Sequence, residues 1–316
     1  MNVLLRQMLS HADPSQVAGL ARFFKTGPGQ YGEGDRFLGI KVPVTRAVVK
    51  NCWRQISFPE LEECIESEYH EVRLAALLAL VEIFKHSAKR TANPGVAPTA
   101  GRAIATPTAP LSPAACVDFY LSHTDRINNW DLVDLSCYPL LGEWLLKADE
   151  NASVGTARNR TPGGIERSRT LLYDLARNGK TIWEQRIGIV STMSFIRHGQ
   201  LSDTFAIADI LLQHPHDLIQ KAVGWLLREA GKRDKAALEA YLNGTPSASK
   251  RPGPLGSKTL DSVENASTAN ASTASLASAT ATRYLAMPRT MLRYATEKFP
   301  EKERQQYLSG TVTPAT

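Results

Sequence analysis

Apolar side chains recur at three- and four-residue spacing along most of the chain, with polar residues between them. This spacing gathers apolar side chains on one face of an α-helix, whereas a half-buried strand needs alternation at every second residue. No segment alternates in that way between hairpin turns, so the pattern predicts helices and argues against a sheet. Proline marks two of the helix starts, one after Asp13 and one at Pro43.

Two of the predicted helices set the expectation for the core. The segment PSQVAGLARFFK carries a helical apolar stripe formed by Val17, Leu20, Ala21 and Phe24. The segment HEVRLAALLALVEIFKHSA is apolar around most of its circumference and is therefore predicted to be buried. Consecutive helix pairs of this length are typical of an α-solenoid, in which each pair buries one face against the next. Because exact sequence repeats are not visible, a compact helical bundle is the alternative.

Three stretches interrupt the helical pattern, at residues 88–112, 151–165 and 244–282. They are rich in Ala, Ser, Thr, Pro, Gly and Asn, and they contain too few large apolar side chains to offset the entropy lost on ordering. We predict that they are flexible low-complexity insertions within a single domain that spans residues 1–316.

The composition narrows the class of protein. The chain has 316 residues, of which 43% are apolar, and a formal net charge of +6. This charge favours a polyanionic partner, which leaves nucleic acid, acidic protein and anionic membrane open. The longest strongly apolar run, residues 74–81, is far short of the roughly 20 residues that span a bilayer, and the first residues lack a signal-peptide core. We therefore expect an intracellular protein without a membrane segment.

The cysteines and histidines give no metal-binding pattern. The four cysteines lie in apolar helical segments without a C-x-x-C pair, which predicts buried thiols rather than disulfides or a metal site: Cys52, Cys64, Cys116 and Cys137. The histidines show no convincing ligand spacing. The glycine-rich segment GPGQYGEGDRFLGI follows a helix rather than a strand, so it does not match a nucleotide-binding loop.

The densest cluster of unusual residues is INNWDLVD, residues 127–134. If Asn128 or Asn129 caps a helix here, Trp130 and Asp134 are four residues apart and lie on one face. An indole beside a carboxylate suits a positively charged transition state. The alternative is that Trp130 is an ordinary core residue in a helix whose acidic side chains favour its N-terminus.

Two further helices combine basic and aromatic side chains. Trp183 and Arg186 share a helix face, and the arginine could clamp a phosphate or pair with a neighbouring carboxylate. On another helix, Trp225 lies four residues after Lys221 and three before Arg228. One face therefore presents a cation, an indole and a cation, as a surface that follows a nucleic-acid backbone requires. A core tryptophan flanked by solvated charges is the alternative.

Five segments resemble the AlkD-like DNA alkylation repair family, in the same order along the chain. They are ARFFKTGPGQYGEGDRFLGIKVP, INNWDLVD, WEQRIGI, IQKAVGWLLRE and MPRTMLRYATEKFP, and the resemblance covers nearly everything outside the three insertions. It implies an all-α fold of HEAT-like repeats, a curved superhelix of antiparallel helix pairs with a basic concave surface for duplex DNA. It further implies a DNA glycosylase that removes cationic N3- and N7-alkylated purines without a metal or an organic cofactor.

The same resemblance implies roles for particular residues. The catalytic aspartate falls on Asp134, the two tryptophans beside the lesion sugar on Trp130 and Trp225, and the active-site arginine on Arg186. An aromatic residue near the N-terminus, tyrosine in well-known members, falls on Phe23, which keeps the ring but lacks the hydroxyl.

The remaining expectations concern DNA contacts and competing functions. Besides Phe23, the side chains expected to contact DNA are Arg197, Lys221 and Arg228. We expect a monomer, in the cytoplasm or nucleoid of a prokaryote or in the nucleus of a eukaryote. Some branches of the family bind DNA without excision, so the alternatives are a non-catalytic DNA-binding protein of this fold and a HEAT-like protein-binding scaffold.

Overall fold

A computed structural model of the protein describes residues 2–92, 112–146, 161–244 and 282–312. Within these ranges the regular elements are helices, and β-type pairing is limited to isolated bridges such as that between Arg36 and Tyr69. The predicted all-α class is confirmed. None of the helices in these ranges is long and apolar enough to cross a bilayer.

The chain divides into two compact units, Met1–Gly199 and Gln200–Thr316, and the single domain stays a prediction. The helices of the first unit are α1 (Val3–Ser10), α2 (Pro14–Phe23), α3 (Val42–Cys52), α4 (Phe58–Ile65), α5 (His70–Ala92), α6 (Pro113–Ser122), α7 (Trp130–Cys137), α8 (Glu143–Leu146), α9 (Thr170–Asn178), α10 (Ile182–Val190) and α11 (Met193–Arg197). Short 3-10 turns follow α3 and α6, and a π-helical turn, Tyr138–Gly142, joins α7 to α8.

Helix α5 is the centre of the first unit. Helices α1, α3, α4, α6 and α7 all pack against it. Its side chains Leu74, Leu77 and Leu80 are at most 1% exposed, as expected for a helix that is apolar around most of its circumference. The predicted burial of this segment is confirmed, and α5 is the fixed element to which the candidate site is attached.

Helix α2 departs from the predicted pattern. Its N-terminus forms as the sequence indicates, with the Asp13 carboxylate accepting the backbone N–H of Ser15 and with proline in the first turn. The apolar stripe, however, is only half-buried at Val17, Leu20 and Ala21, and no residue of α2 itself is fully buried. Of the four predicted stripe residues, only Phe24 is buried, and it lies one position beyond the helix.

The boundaries of two predicted insertions also differ from expectation. Helix α5 continues to Ala92, so the stretch predicted at 88–112 begins as helix. At the end of the second stretch, the backbone N–H of Thr161 donates to the carbonyl of Ile165, and the N–H of Gly163 donates to Asp118 Oδ2 at 2.6 Å. These hydrogen bonds form an ordered turn that low-complexity composition did not indicate. The parts at 93–111, 151–160 and 245–281 lie outside the described residues.

The second unit is organised around one long helix. Its helices are α12 (Ser202–Ile210), α13 (Asp217–Arg233), α14 (Lys235–Leu242), α15 (Arg283–Ala286), α16 (Arg289–Ala295) and α17 (Glu301–Ser309). Helices α12, α14 and α16 pack against α13. Gly224 makes the α13–α16 contact possible, because a Cβ atom there would lie 2.5 Å from the carbonyl oxygen of Met291.

The four cysteines are all buried, as predicted, and none is joined in a disulfide. Among the described residues, no group of three or more His, Cys, Asp or Glu side chains is arranged to hold a metal ion.

Candidate active site

Helix α7 begins as the sequence predicts. Asn129 is the N-cap, and its Oδ1 accepts the backbone N–H of Trp130 at 2.9 Å. Trp130 and Asp134 therefore occupy successive turns of one helix face. Both side chains line the same cleft, which confirms the predicted pairing of an indole with a carboxylate.

The Asp134 carboxylate is bound by the guanidinium of Arg186 from helix α10. Arg186 Nε donates to Oδ1 at 2.8 Å, and Nη2 donates to Oδ2 at 2.7 Å. The Asp134 side chain is 15% exposed and that of Arg186 is 6% exposed. Of the two roles that the sequence left open for Arg186, the structure shows the pairing with a carboxylate. Two parallel hydrogen bonds fix the direction of the carboxylate as well as its position.

The surroundings of Asp134 act on its protonation in opposite directions. Burial, together with the nearby Asp131 carboxylate, raises the pKa of Asp134 above its ordinary value of 3.8, while Arg186 opposes the rise through charge and hydrogen bonds. Removing a carboxylate from water disfavours its ionised form, and a guanidinium at hydrogen-bond distance favours it. The charge of Asp134 therefore depends on Arg186 and Asp131 together.

An open cleft of about 410 Å³ lies beside Asp134. Aromatic rings form much of its wall: Trp130 stacks with Phe24 at a centroid distance of 5.4 Å and meets the edge of Phe23 at 5.8 Å, and Phe37 stacks on Phe24 at 5.3 Å. Phe23 is 60% exposed, so a large apolar ring faces solvent at this cleft. A cleft with apolar walls and a carboxylate at its edge suits a flat or cationic group.

An ionic cluster of buried charged residues lies next to the cleft. The ring of His70, the first residue of α5, bonds through Nδ1 to Asp35 Oδ2 and through Nε2 to Asp131 Oδ2, both at 3.0 Å. Arg73, one turn further along α5, donates to Asp35 Oδ1. The side chains of His70, Asp35, Asp131 and Arg73 are at most 4% exposed. The cluster therefore connects α5 to the glycine-rich segment and to the first turn of α7.

A second carboxylate of α5 fixes the backbone that follows Phe37. Glu71 is 2% exposed, and its Oε2 accepts the N–H of Leu38 at 2.9 Å. Its Oε1 accepts the N–H groups of Gly39 at 2.9 Å and Ile40 at 3.1 Å. Here the carboxylate accepts the hydrogen bonds of three backbone N–H groups that a helix or a sheet would otherwise pair with backbone carbonyls. The FLGI segment is thereby attached to α5.

The comparison with known proteins decides the family of this chain. Residues 4–299 match a family model described as DNA alkylation repair enzyme. The chain belongs to that family. A solved structure titled "Predicted DNA alkylation repair enzyme from Enterococcus faecalis" is similar, with 13% sequence identity over 73% of this chain and 88% of that chain and a TM-score of 0.48. No curated protein matches.

Membership in the DNA alkylation repair enzyme family implies DNA as the substrate, which directs attention to the cations of the site. Lys41, at the N-cap of α3, lines the cleft beside the aromatic wall and is exposed. Within the described residues it forms no ion pair. No sequence pattern singles out Lys41, because a lone lysine near a helix start is common on protein surfaces.

The other DNA contacts predicted for this family member are partly engaged with the protein itself. Arg197 is exposed and its guanidinium lies 4.5 Å from the ring centre of Tyr138. In the second unit, Lys221 Nζ lies 2.6 Å from Asp217 Oδ2, and Arg228 pairs with Glu297 and with Glu229. Trp225 is half-buried on the same helix.

The first unit thus brings together Phe23, Trp130, Asp134 and Arg186, four of the side chains assigned from the family resemblance. Trp225, Lys221 and Arg228 belong to the second unit, and their roles stay predictions. Sequence reasoning missed the cluster of Asp35, His70, Arg73 and Asp131. The sequence contains one indication of this cluster. His70 and Arg73 are polar residues three positions apart in a helix that is predicted to be buried, and buried charged side chains need partners.

The ionic cluster predicts how stability depends on pH. Burial alone would lower the pKa of His70, but Asp131 and Asp35 raise it from 6.5 to about 9. A group whose pKa is raised in the folded state stabilises the protein fully below pH 6.5, and this contribution is lost as the pH rises through about 9. We expect the free energy of unfolding to fall by at most about 3 kcal/mol over this window.

Urea unfolding of wild type and His70→Gln at pH 6 and pH 10 measures this contribution. His70→Gln should lose less stability between the two pH values, whereas His86→Gln, a change further along the same helix, should behave as wild type. Equal pH dependence in wild type and His70→Gln would show that the cluster does not hold a charged histidine.

Asp35 adds a dependence on the acid side. Burial alone would raise the pKa of Asp35, but His70 and Arg73 lower it from 3.8 to about 2. The contribution of Asp35 to the free energy of unfolding is therefore lost as the pH falls from 3.8 through 2.

Proposed function

We propose that this protein is a DNA glycosylase that excises cationic N3- and N7-alkylated purines from duplex DNA. The observation that carries the proposal is the Asp134 carboxylate, oriented by Arg186 at the edge of a cleft whose wall includes Trp130. The family supports repair of alkylated DNA as the process. The negative charge of Asp134 and the aromatic face of Trp130 support cleavage of the glycosidic bond as the reaction.

The chemistry follows from the leaving group. An alkylated purine already carries a positive charge, so the glycosidic bond can break without prior protonation, and its electron pair neutralises the base nitrogen. The sugar then acquires oxocarbenium character at C1′, and water adds there with loss of a proton to solvent. The products are the free alkylated base and an abasic site. Catalysis then requires mainly the stabilisation of a cationic sugar.

The proposed roles match these requirements. Asp134 supplies negative charge beside the sugar, and the face of Trp130 supplies an electron-rich surface that contributes on the order of 1 kcal/mol. Arg186 acts through Asp134 by fixing the orientation of the carboxylate with two hydrogen bonds. Because each 1.4 kcal/mol is a factor of ten in rate, a carboxylate and an indole can together supply a few orders of magnitude on a labile bond.

Incubation with a duplex that contains a single 7-methylguanine tests the proposal. We expect release of the free base and formation of an abasic site, measured by strand cleavage in alkali after subtraction of the rate without protein. An identical duplex with guanine at that position is the control. Tight binding to both duplexes without base release would refute the proposed activity.

That outcome would support a second candidate, a non-catalytic DNA-binding protein. The observation that favours it is that Arg186 bonds to both oxygens of Asp134 and so offsets part of the charge that catalysis needs. A cationic sugar must compete with this guanidinium for the same carboxylate. Single-turnover excision and a binding isotherm on the same protein separate the two candidates.

Binding to the phosphate backbone should depend on salt, and Lys41 should contribute. Each neutralised phosphate adds about 0.9 to the slope of log affinity against log salt. We expect Lys41→Gln to reduce the slope by about this amount, because Lys41 is an exposed cation at the cleft. Lys50→Gln is the matched control, since Lys50 is exposed in the last turn of the same helix. Equal slopes for the two variants would exclude Lys41 from the DNA contact.

A further inference from the structure

The hydrogen bonds of His70 determine its protonation state. Both ring nitrogens lie 3.0 Å from carboxylate oxygens, Nδ1 from Asp35 and Nε2 from Asp131. A carboxylate accepts hydrogen bonds and cannot donate them, and a neutral imidazole has only one N–H. Two such bonds therefore require an imidazolium, whose charge also contacts the faces of Phe24 and Phe37 at centroid distances of 4.7 and 4.9 Å.

Both carboxylates that bind His70 belong to or contact the N-terminus of α7. Asp131 lies in the first turn of this helix. Asp35 Oδ2 accepts a hydrogen bond at 3.2 Å from Nδ2 of Asn129, the N-cap. Trp130 lies between these two residues in the sequence, and Asp134 follows one turn later. The orientation of the indole and of the reactive carboxylate is therefore tied to the imidazolium.

His70 also affects the electrostatics of the cleft. Asp131 and Asp134 are three residues apart on one helix face and both line the cleft, and the charge of Asp131 contributes to the raised pKa of Asp134. The imidazolium sits against Asp131 and offsets its charge. When His70 loses its proton, the charge of Asp131 is no longer compensated, and one of the two hydrogen bonds to the ring must break.

We propose that His70 is a positioning residue for the excision reaction, because as an imidazolium it holds the first turn of α7 in place. The proposal rests on the proposed glycosylase function. Loss of the proton should release the start of α7, displace Asp134 and thereby weaken the interaction of Asp134 with a cationic sugar.

The pH dependence of this arrangement involves charged groups from every element around His70. They are Asp35 and Lys41 from the segment between α2 and α3, Glu71 and Arg73 from α5, Asp131 and Asp134 from α7, Arg126 from the turn before α7, and Arg186 from α10. Asp131 and Asp35 favour the imidazolium over the neutral ring, and burial opposes them; the pKa of His70 is raised to about 9. The transition should therefore fall near pH 9.

Two readouts on the full-length protein test the proposal between pH 6 and pH 10. The first is the single-turnover rate of 7-methylguanine excision above the rate without protein. The second is the ratio of affinities for two duplexes with abasic-site analogues, one with a quaternary ammonium in the sugar ring and one neutral. The permanent charge of the first analogue keeps the probe itself from titrating. Both readouts are taken on wild type, His70→Gln and the control His86→Gln.

We expect both readouts to fall above about pH 9 in wild type and in His86→Gln. In His70→Gln this alkaline fall should be absent, and excision at pH 7 should be about tenfold to a hundredfold slower, as for a misplaced reacting group. An unchanged alkaline fall in His70→Gln would overturn the proposal. Absence of excision in all three proteins, with an affinity ratio that still falls only when His70 is present, would refute the glycosylase while leaving the role of His70 supported.

A second variant covers the case in which His70→Gln does not fold. Asp35→Asn keeps the side-chain shape and removes one of the two carboxylates that favour the imidazolium. We expect the alkaline fall of both readouts to move to lower pH in this variant. A fall at the same pH as in wild type would contradict the proposal, since the charge of Asp35 would then not act on the titrating group.

Discussion

Asp134→Asn is expected to slow single-turnover excision of 7-methylguanine by about 30- to 1,000-fold. This corresponds to about 2–4 kcal/mol, the usual effect of removing one preorganised electrostatic group. Asparagine keeps the shape of the side chain and one oxygen for the guanidinium of Arg186, but it carries no negative charge. The loss should fall on the chemical step, because the carboxylate is needed where positive charge develops on the sugar.

Two controls make this result specific. Asp174→Asn, on the exposed face of α9, removes the same charge away from the cleft and should leave the rate unchanged. The affinity of Asp134→Asn for undamaged duplex should not fall and is expected to rise slightly, because a carboxylate that faces phosphates opposes binding. Excision at the wild-type rate would refute the role of Asp134, and loss of cooperative unfolding would assign it to the structure instead.

Gly39→Ala is expected to lower the free energy of unfolding by about 3–5 kcal/mol, a large effect for one methyl group. Gly39 has φ +87°, where a side chain costs about 1–2 kcal/mol. A Cβ atom would also lie 1.9 Å from the carbonyl oxygen of Asp13, a backbone atom that cannot easily move. Because the N–H of Gly39 donates to Glu71, relieving the overlap would pull the FLGI segment away from α5.

Gly34→Ala separates the two causes. Gly34 has nearly the same backbone angle, φ +88°, but a Cβ atom there would have no heavy atom within 4 Å. Its substitution should cost only about 1–2 kcal/mol, the backbone contribution alone. Urea unfolding of both variants measures the difference, and equal losses would show that the contact with Asp13 carries no energy.

Local signals in the sequence predicted the elements and the central pair of the site. The cap at Asn129 and the four-residue spacing of Trp130 and Asp134 are properties of one helix turn and can be read from neighbouring residues. Helix spacing singled out Arg186 as a phosphate clamp or a carboxylate partner, the resemblance placed it in the active site, and the structure shows that it pairs with Asp134.

The ionic cluster could not be predicted in the same way. Asp35 lies 35 residues before His70, and Asp131 lies 61 residues after it. No periodicity connects such positions, because their contact depends on how three elements pack. Histidines that bind a metal recur at recognisable spacings, whereas a histidine held between two carboxylates leaves no comparable spacing pattern. The prediction of a buried face on α2 was wrong for a related reason. Leu20 and Phe23 line an open cleft, and in sequence apolar residues that line a cleft look the same as apolar residues that face a core.

Attachment of both walls of the cleft to α5 has a thermodynamic consequence. Glu71 fixes the segment that carries Phe37, and His70 fixes the helix that carries Trp130 and Asp134, so neighbouring residues of one buried helix set the width of the cleft. A group that enters would meet surfaces already held in their bound geometry and would lose little conformational entropy in ordering them. The binding free energy should then depend mainly on how well the entering group fits the cleft, because little of it is spent on ordering the residues around that group.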